Sequence, residues 1–148
     1  MHVARAPRSH IVLLLALMLL LPGAGRAGGS PIGFVSLPER GVLAVIALPN
    51  GGTLARISVA GTPGHVAASV NGRRVLVASP DAGAVTQIDG VEHRVVRVFR
   101  GLTKPVAVAL DYDPPIGIVT PRFAFALDST PGVLVVLDLA RGRIAARR

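Results

Sequence analysis

The chain has no cysteine and no tryptophan among its 148 residues. Without cysteine there can be no disulfide, thiolate metal site or cysteine nucleophile, so packing and strand pairing alone must hold the fold. Aromatics are scarce, four Phe and one Tyr. A single-strand nucleic-acid surface, which interleaves basic residues with stacking rings, therefore has no basis here, and no nucleic-acid partner is expected. Lys104 is the only lysine, and charged residues make up just 16%. Beyond residue 27 no stretch longer than a few residues keeps a helical period, and Gly and Pro recur too often for a long helix. Nothing matches a G-x-S-x-G elbow, a P-loop, a G-x-G-x-x-G after a strand, or H-E-x-x-H.

Aliphatic and turn-forming residues are abundant. Hydrophobic residues reach 51%, with 17 Gly and 12 Pro. That apolar content argues against disorder, and the punctuation argues for short strands joined by tight turns.

Residues 1–27 read as a secretory signal. Arg5, Arg8 and His10 form a basic start, Ile11 to Leu21 is an unbroken apolar run of eleven, Pro22-Gly23 breaks it, and Gly25-Arg26-Ala27 offers a cleavage site. A membrane-spanning helix is the competing reading, but eleven residues at ~1.5 Å each reach about half of a ~30 Å hydrocarbon core. The expected location is therefore the periplasm, the cell envelope or the exterior, with membrane contact only in export. The formal charge is +8; beyond residue 27 thirteen basic and eight acidic residues leave +5, with Arg141, Arg143, Arg147 and Arg148 clustered at the end.

The remainder, 28–148, is predicted to be one all-β domain. Strands are expected over Ile32–Leu37, Val42–Leu48, Thr53–Val59, His65–Val70, Arg73–Ser79, Ala84–Asp89, Arg94–Arg100, Val106–Leu110, Phe123–Asp128, Val133–Asp138 and Arg143–Ala146. The residues expected to make the turns are Gly51, Gly61, Pro63, Asn71, Gly72, Gly83, Pro105 and Gly132. The register of Thr53–Val59 stays open, because Leu54 does not share the parity of Ile57 and Val59.

A repeat runs through this pattern. Gly41 to Gly83, Ile46 to Ile88 and Pro63 to Pro105 are each 42 apart; Gly83 to Gly132 and Asp89 to Asp138 are 49 apart. About seven residues are thus inserted between Asp111 and Arg122, replacing the short Asn71-Gly72 turn. Units fall near 41–82 and 83–131. A period of roughly 40–45 residues with four strands per unit marks a β-propeller blade.

The residues carrying this repeat resemble the YVTN-type secreted β-propeller repeats. Val45-Ile46 stands for that family's V-I, Leu54 for its paired Val, and Ile57, Val59, Gly61 and Pro63 keep its types. Val66-Ala67 and Ser69 match part of G-V-A-V-S, Asn71-Gly72 stands for D-G, and Val75-Leu76-Val77-Ala78-Ser79 for V-Y-V-A-N. Ala47 departs from the family Asp, which returns at Asp89 and Asp138. The resemblance implies a propeller and no reaction. The expected fold is two to three four-stranded antiparallel blades of an incomplete β-propeller, about 2.5 blades, short of the roughly four to eight of a closed ring. A fragment of a longer propeller is the leading explanation; self-assembly into a ring and a smaller open array are the others.

The chemistry-bearing candidates are few. His65 starts a strand after Thr-Pro-Gly and is a candidate ligand or haem contact; a plain strand-start histidine is the competing reading. His93 reads as turn surface. Asp111 and Asp113 flank Tyr112 and offer oxygens to calcium, though in no recognised loop spacing. Asp89 and Asp138 share a repeat position, which argues for turn-making over catalysis. No catalytic constellation and no cofactor are expected. The leading function is a binding or scaffold module, with self-association or a protein partner through exposed blade edges. The alternative is the N-terminal part of a propeller enzyme of lactonase-like or haem-oxidoreductase type.

Overall fold

The computed structural model describes residues 31–111 and 121–148. The expected signal and residues 112–120 of the insertion, Asp113 among them, lie outside the described residues. Among the described residues eleven strands are arranged in three antiparallel sheets. The first holds β1 (Ile32–Leu37), β2 (Val42–Ala47) and β3 (Thr53–Ser58). The second holds β4 (Val66–Ala68), β5 (Arg74–Ser79), β6 (Ala84–Asp89) and β7 (Arg94–Phe99). The third holds β8 (Pro105–Leu110), β9 (Phe123–Asp128), β10 (Val133–Asp138) and β11 (Arg143–Arg147). Each sheet is a meander in chain order, as short Gly-rich connections require.

The predicted strands are all present, and β4 is the one that differs most. It covers three residues where His65–Val70 was expected. The Asn71 side chain ends it early: Asn71 Oδ1 accepts from Ser69 Oγ (2.8 Å) and from Arg73 N (3.0 Å), and Gly72 N donates to Ser69 O (2.8 Å). Local side-chain bonding of this kind competes with the ladder.

The sheets stack face to face with the second in the middle. Strand alternation sends Val75, Val77 and Ile88 toward the first sheet, where they pack with Leu43, Val45 and Ile57. It sends Leu76, Ala78 and Val85 toward the third, where they meet Val108, Ala124, Ala126, Val135 and Leu137. This is why Val75–Ser79 and Ala84–Ile88 are buried without interruption and read as apolar runs. β4 and β8, the first strands of their sheets, lie side by side.

The open register of β3 has a physical cause. Val45 pairs with Ala55 but Ile46 with Thr53, so Leu54 is the extra residue of a bulge and is 53% exposed. The bulge recurs in the last strand of each sheet, at Val96 and at Ala145, which are 42 and then 49 residues further on. Sheet boundaries fall within the sequence units: 41–82 contains β2 and β3 of one sheet and β4 and β5 of the next.

Candidate functional site

The loops between sheets are held by carboxylates. Asp81, in the β5–β6 turn, accepts from Thr62 N and Thr62 Oγ1 at 2.8 Å each. Asp128, at the end of β9 and fully buried, accepts from Thr103 N (2.8 Å) and Lys104 N (2.6 Å). The same connection, entering the first strand of a sheet, is thus tied down twice. Thr62 holds the Asp81 carboxyl below the usual carboxylate range, through its backbone N–H first and its hydroxyl second.

Asp89 and Asp138 cap equivalent turns. Asp89 Oδ1 accepts from Val91 N and Glu92 N, both at 2.9 Å. Asp138 Oδ1 accepts from Ala140 N (3.1 Å) and Arg141 N (2.9 Å), and its Oδ2 pairs with the Arg141 guanidinium at 2.9 Å. Both carboxyls are lowered, Asp89 chiefly by the Glu92 N–H and Asp138 chiefly by the Arg141 N–H. These bonds occupy the carboxylates in turn-making, as their shared repeat position suggested.

The expected turn glycines Gly51, Gly61, Gly72, Gly83 and Gly132 all have φ between 56° and 72°, and Pro63 is buried in its loop; Pro105, expected in a turn, is instead the first residue of β8, opposite Asp128, a strand position that tolerates a residue with no N–H. His93 is the surprise. It has φ 52° and occupies the repeat position of Gly51 and Gly142, so it is a strained turn residue, which sequence alone read as plain surface.

His65 is exposed, yet it is bonded between sheets: its Nδ1 accepts from Val108 N of β8 at 3.3 Å, while its carbonyl accepts from Ala78 N at 2.9 Å. An accepting Nδ1 places the proton of the neutral ring on Nε2. The ring therefore ties the residue just before β4 to β8 of the next sheet. Asp111 follows β8, with its backbone N–H bonded to Phe123 O at 3.0 Å. Among the described residues no group of three or more His, Cys, Asp or Glu is placed to hold a metal ion, and no helix is long and apolar enough to cross a membrane.

The features most relevant to binding lie elsewhere. In register, Phe125, Leu127, Leu134 and Val136 of the third sheet stand 49 residues after Leu76, Ala78, Val85 and Gln87 of the second. The latter four are buried beneath the third sheet; Leu127 and Leu134 of the former are 44% and 42% exposed. At the other end Val35 and Ile46 stand 42 residues before Val77 and Ile88, which the first sheet covers; Val35 is 42% exposed and Ile46 half-buried. Both end sheets thus turn outward the face that a neighbouring sheet covers inside the molecule. Counting back 42 residues from β4–β7 would have found this from sequence. That no other described sheet covers these faces follows from the sheet order.

No family model matches the chain, and no curated protein matches it. Among solved structures, 353 chains match, a breadth that identifies an architecture and no single activity. One is hydrazine synthase of Kuenenia stuttgartiensis, with a TM-score of 0.68 at 14% identity. The match covers 77% of this chain and 31% of that one. The likeness is one of fold. These sheets are blades of an incomplete β-propeller. The chain spans about a third of the length of the protein it matches, and among the described residues the blades form an open stack, with three strands in the first and four in each of the others.

Proposed function

We propose that the chain is a secreted or cell-envelope propeller-repeat protein of the YVTN type that works by binding and scaffolding, through blade faces that further blades cover. One correspondence carries the reading: the outward face of the third blade repeats, position by position, the second-blade face that the third blade buries. An apolar blade face left in water is costly and invites association. Export is read from the basic and apolar leader at residues 1–27, and the YVTN-type assignment from the motifs around Val45–Ser79.

The test is the mass in solution of the chain from Gly28, by light scattering on a size-exclusion column, beside the Leu134→Asp variant. A discrete oligomer that the variant dissociates supports the reading; two copies would supply six blades, within the roughly four to eight of closed propellers. A chain that stays monomeric and soluble at every concentration, with Leu134→Asp changing neither property, overturns it, because a face that nothing needs to cover is not a binding face.

A further inference from the structure

One row of side chains breaks the repeat. Arg74 on β5, Gln87 on β6 and Arg97 on β7 share the face of the second blade that carries Leu76 and Ala78 toward the third. At 42 residues earlier the same positions are Ile32, Val45 and Ala55, which belong to the apolar packing between the first two blades. At 49 residues later they are Phe123, Val136 and Ala146. Of the three blades the second alone is polar here, and it is polar at all three positions.

These polar groups are not satisfied by the fold. Arg74 Nη1, Arg97 Nε and Gln87 Oε1 are buried atoms with no hydrogen-bond partner, and Gln87 is only 4% exposed. Among the described residues no carboxylate forms an ion pair with Arg74 or Arg97. Burial holds the Arg74 guanidinium below its ordinary pKa, and the charge of Arg97 adds to the effect, while Asp89 opposes it. Native folds rarely leave buried polar groups bare, and each exception calls for a reason.

The row lies at a cleft of about 280 Å³, walled by Arg73, Arg74, Gln87, Asp89 and Arg94 among others. Arg97 stands opposite Gln87 in the ladder. Its guanidinium lies over Gly142 of the β10–β11 turn, where any side chain would collide with it. Both carboxylates nearby are engaged: Asp89 Oδ1 accepts from Val91 N and Glu92 N, and Glu92 pairs with Arg94. The guanidinium groups of Arg73, Arg74, Arg94 and Arg97 therefore outnumber the carboxylates, and the cleft favours anions.

We propose that this cleft binds a phosphoryl group, as hydrogen phosphate or as the monoester of a small hydroxylated molecule. Guanidinium groups donate in a planar fork that matches phosphate oxygens. The bare Gln87 oxygen adds a second requirement. It accepts, so the ligand must also present a donor. Hydrogen phosphate and a hydroxyl-bearing ester do so; sulfate does not. The cleft's volume falls just under the ~300–1,000 Å³ of pockets for drug-sized ligands, which suits a small anion. The site is on a face turned inward between two blades, so it is independent of the end faces and of the association proposed through them.

The repeat itself supplies the variants. Alanine stands at the Arg97 position in both other blades, and valine at the Gln87 position in both. Arg97→Ala and Gln87→Val thus introduce residues that this backbone already accepts. Calorimetric titration of inorganic phosphate into the purified protein at low salt should show saturable one-to-one binding. Sulfate at equal ionic strength should bind about tenfold or more weakly, because it leaves the Gln87 oxygen facing another acceptor. Glycerol 3-phosphate separates the two sources: tighter binding than phosphate assigns the site to an ester, weaker binding to the free ion. Arg97→Ala should weaken phosphate binding about tenfold or more, the effect of losing charge-assisted hydrogen bonds. Gln87→Val should erase the preference over sulfate. Both variants should melt no lower than the wild type, since an apolar side chain relieves a desolvated polar one. A purely structural role predicts the reverse, lower melting with binding unchanged, and that result overturns the proposal. So does the absence of saturable binding, or sulfate binding as tightly as phosphate.

Discussion

Single residues in this chain do structural work that their type does not announce. The carboxylates Asp81, Asp89 and Asp138 are all lowered by hydrogen bonds from backbone N–H groups, from Thr62, Glu92 and Arg141 respectively. A carboxylate whose folded pKa is depressed contributes stability that is complete above its unfolded value, about 3.9, and is lost as pH falls through the folded value. Thermal stability should thus be level from neutral pH down to about pH 5 and fall below about pH 4. Asp138→Asn should lower the melting temperature at pH 7 and flatten the acid limb; an acid limb unchanged by this variant and by Asp81→Asn would place the sensitivity elsewhere. His93 carries the opposite lesson. Left-handed backbone costs a non-glycine residue about 1–2 kcal/mol, and glycine gives back part of the difference as unfolded-state entropy. His93→Gly should therefore stabilise by about 0.5–1 kcal/mol and raise the melting temperature by roughly 2–5 °C in calorimetry.

At the scale of the element, the strands were legible because Val-rich runs alternate with Gly, Pro and Asn turns, and the period of 42 residues fixed which strands correspond. The β3 register was not legible, because Leu54 is a bulge residue and a bulge reverses side-chain parity after it. The contact from His65 to Val108 N was hidden for a different reason: it joins two blades across 43 residues of sequence, and no local pattern encodes it. The turns differ in how much they tolerate. A Cβ on Gly83 would stand 2.3 Å from Leu102 O, on the connection into the third blade, whereas a Cβ on Gly72 would meet nothing within 4 Å. Both glycines have positive φ, so alanine at either costs the strain of about 1–2 kcal/mol. Only Gly83→Ala adds a collision with backbone. Denaturant unfolding should show Gly83→Ala as the more damaging by at least about 1 kcal/mol; equal losses would mean that the inter-blade connection yields freely at Leu102.

At the scale of the molecule, the question is what packs on the two end faces that no described residue covers. Sequence announced the problem as a blade count, but not its geometry. The two outward faces are different surfaces: Phe125, Leu127, Leu134 and Val136 stand where a following blade packs, while Val35 and Ile46 stand where a preceding blade packs. Association through them is head to tail, which closes only as a ring and otherwise continues as an open chain. That asymmetry gives a prediction that self-complementary pairing does not share. Val35→Asp spoils one face and Leu134→Asp the other, so neither variant alone can build beyond the wild-type contact it has lost, and each should run as a monomer. Mixed in equal amounts, they retain one intact pair of faces between them: the Leu134 side of the Val35→Asp chain and the Val35 side of the Leu134→Asp chain. The mixture should give a one-to-one dimer by light scattering that grows no further. Pairing of like faces would instead let each variant dimerise alone through its unspoiled end, and that outcome would rule out the propeller stacking order as the mode of assembly.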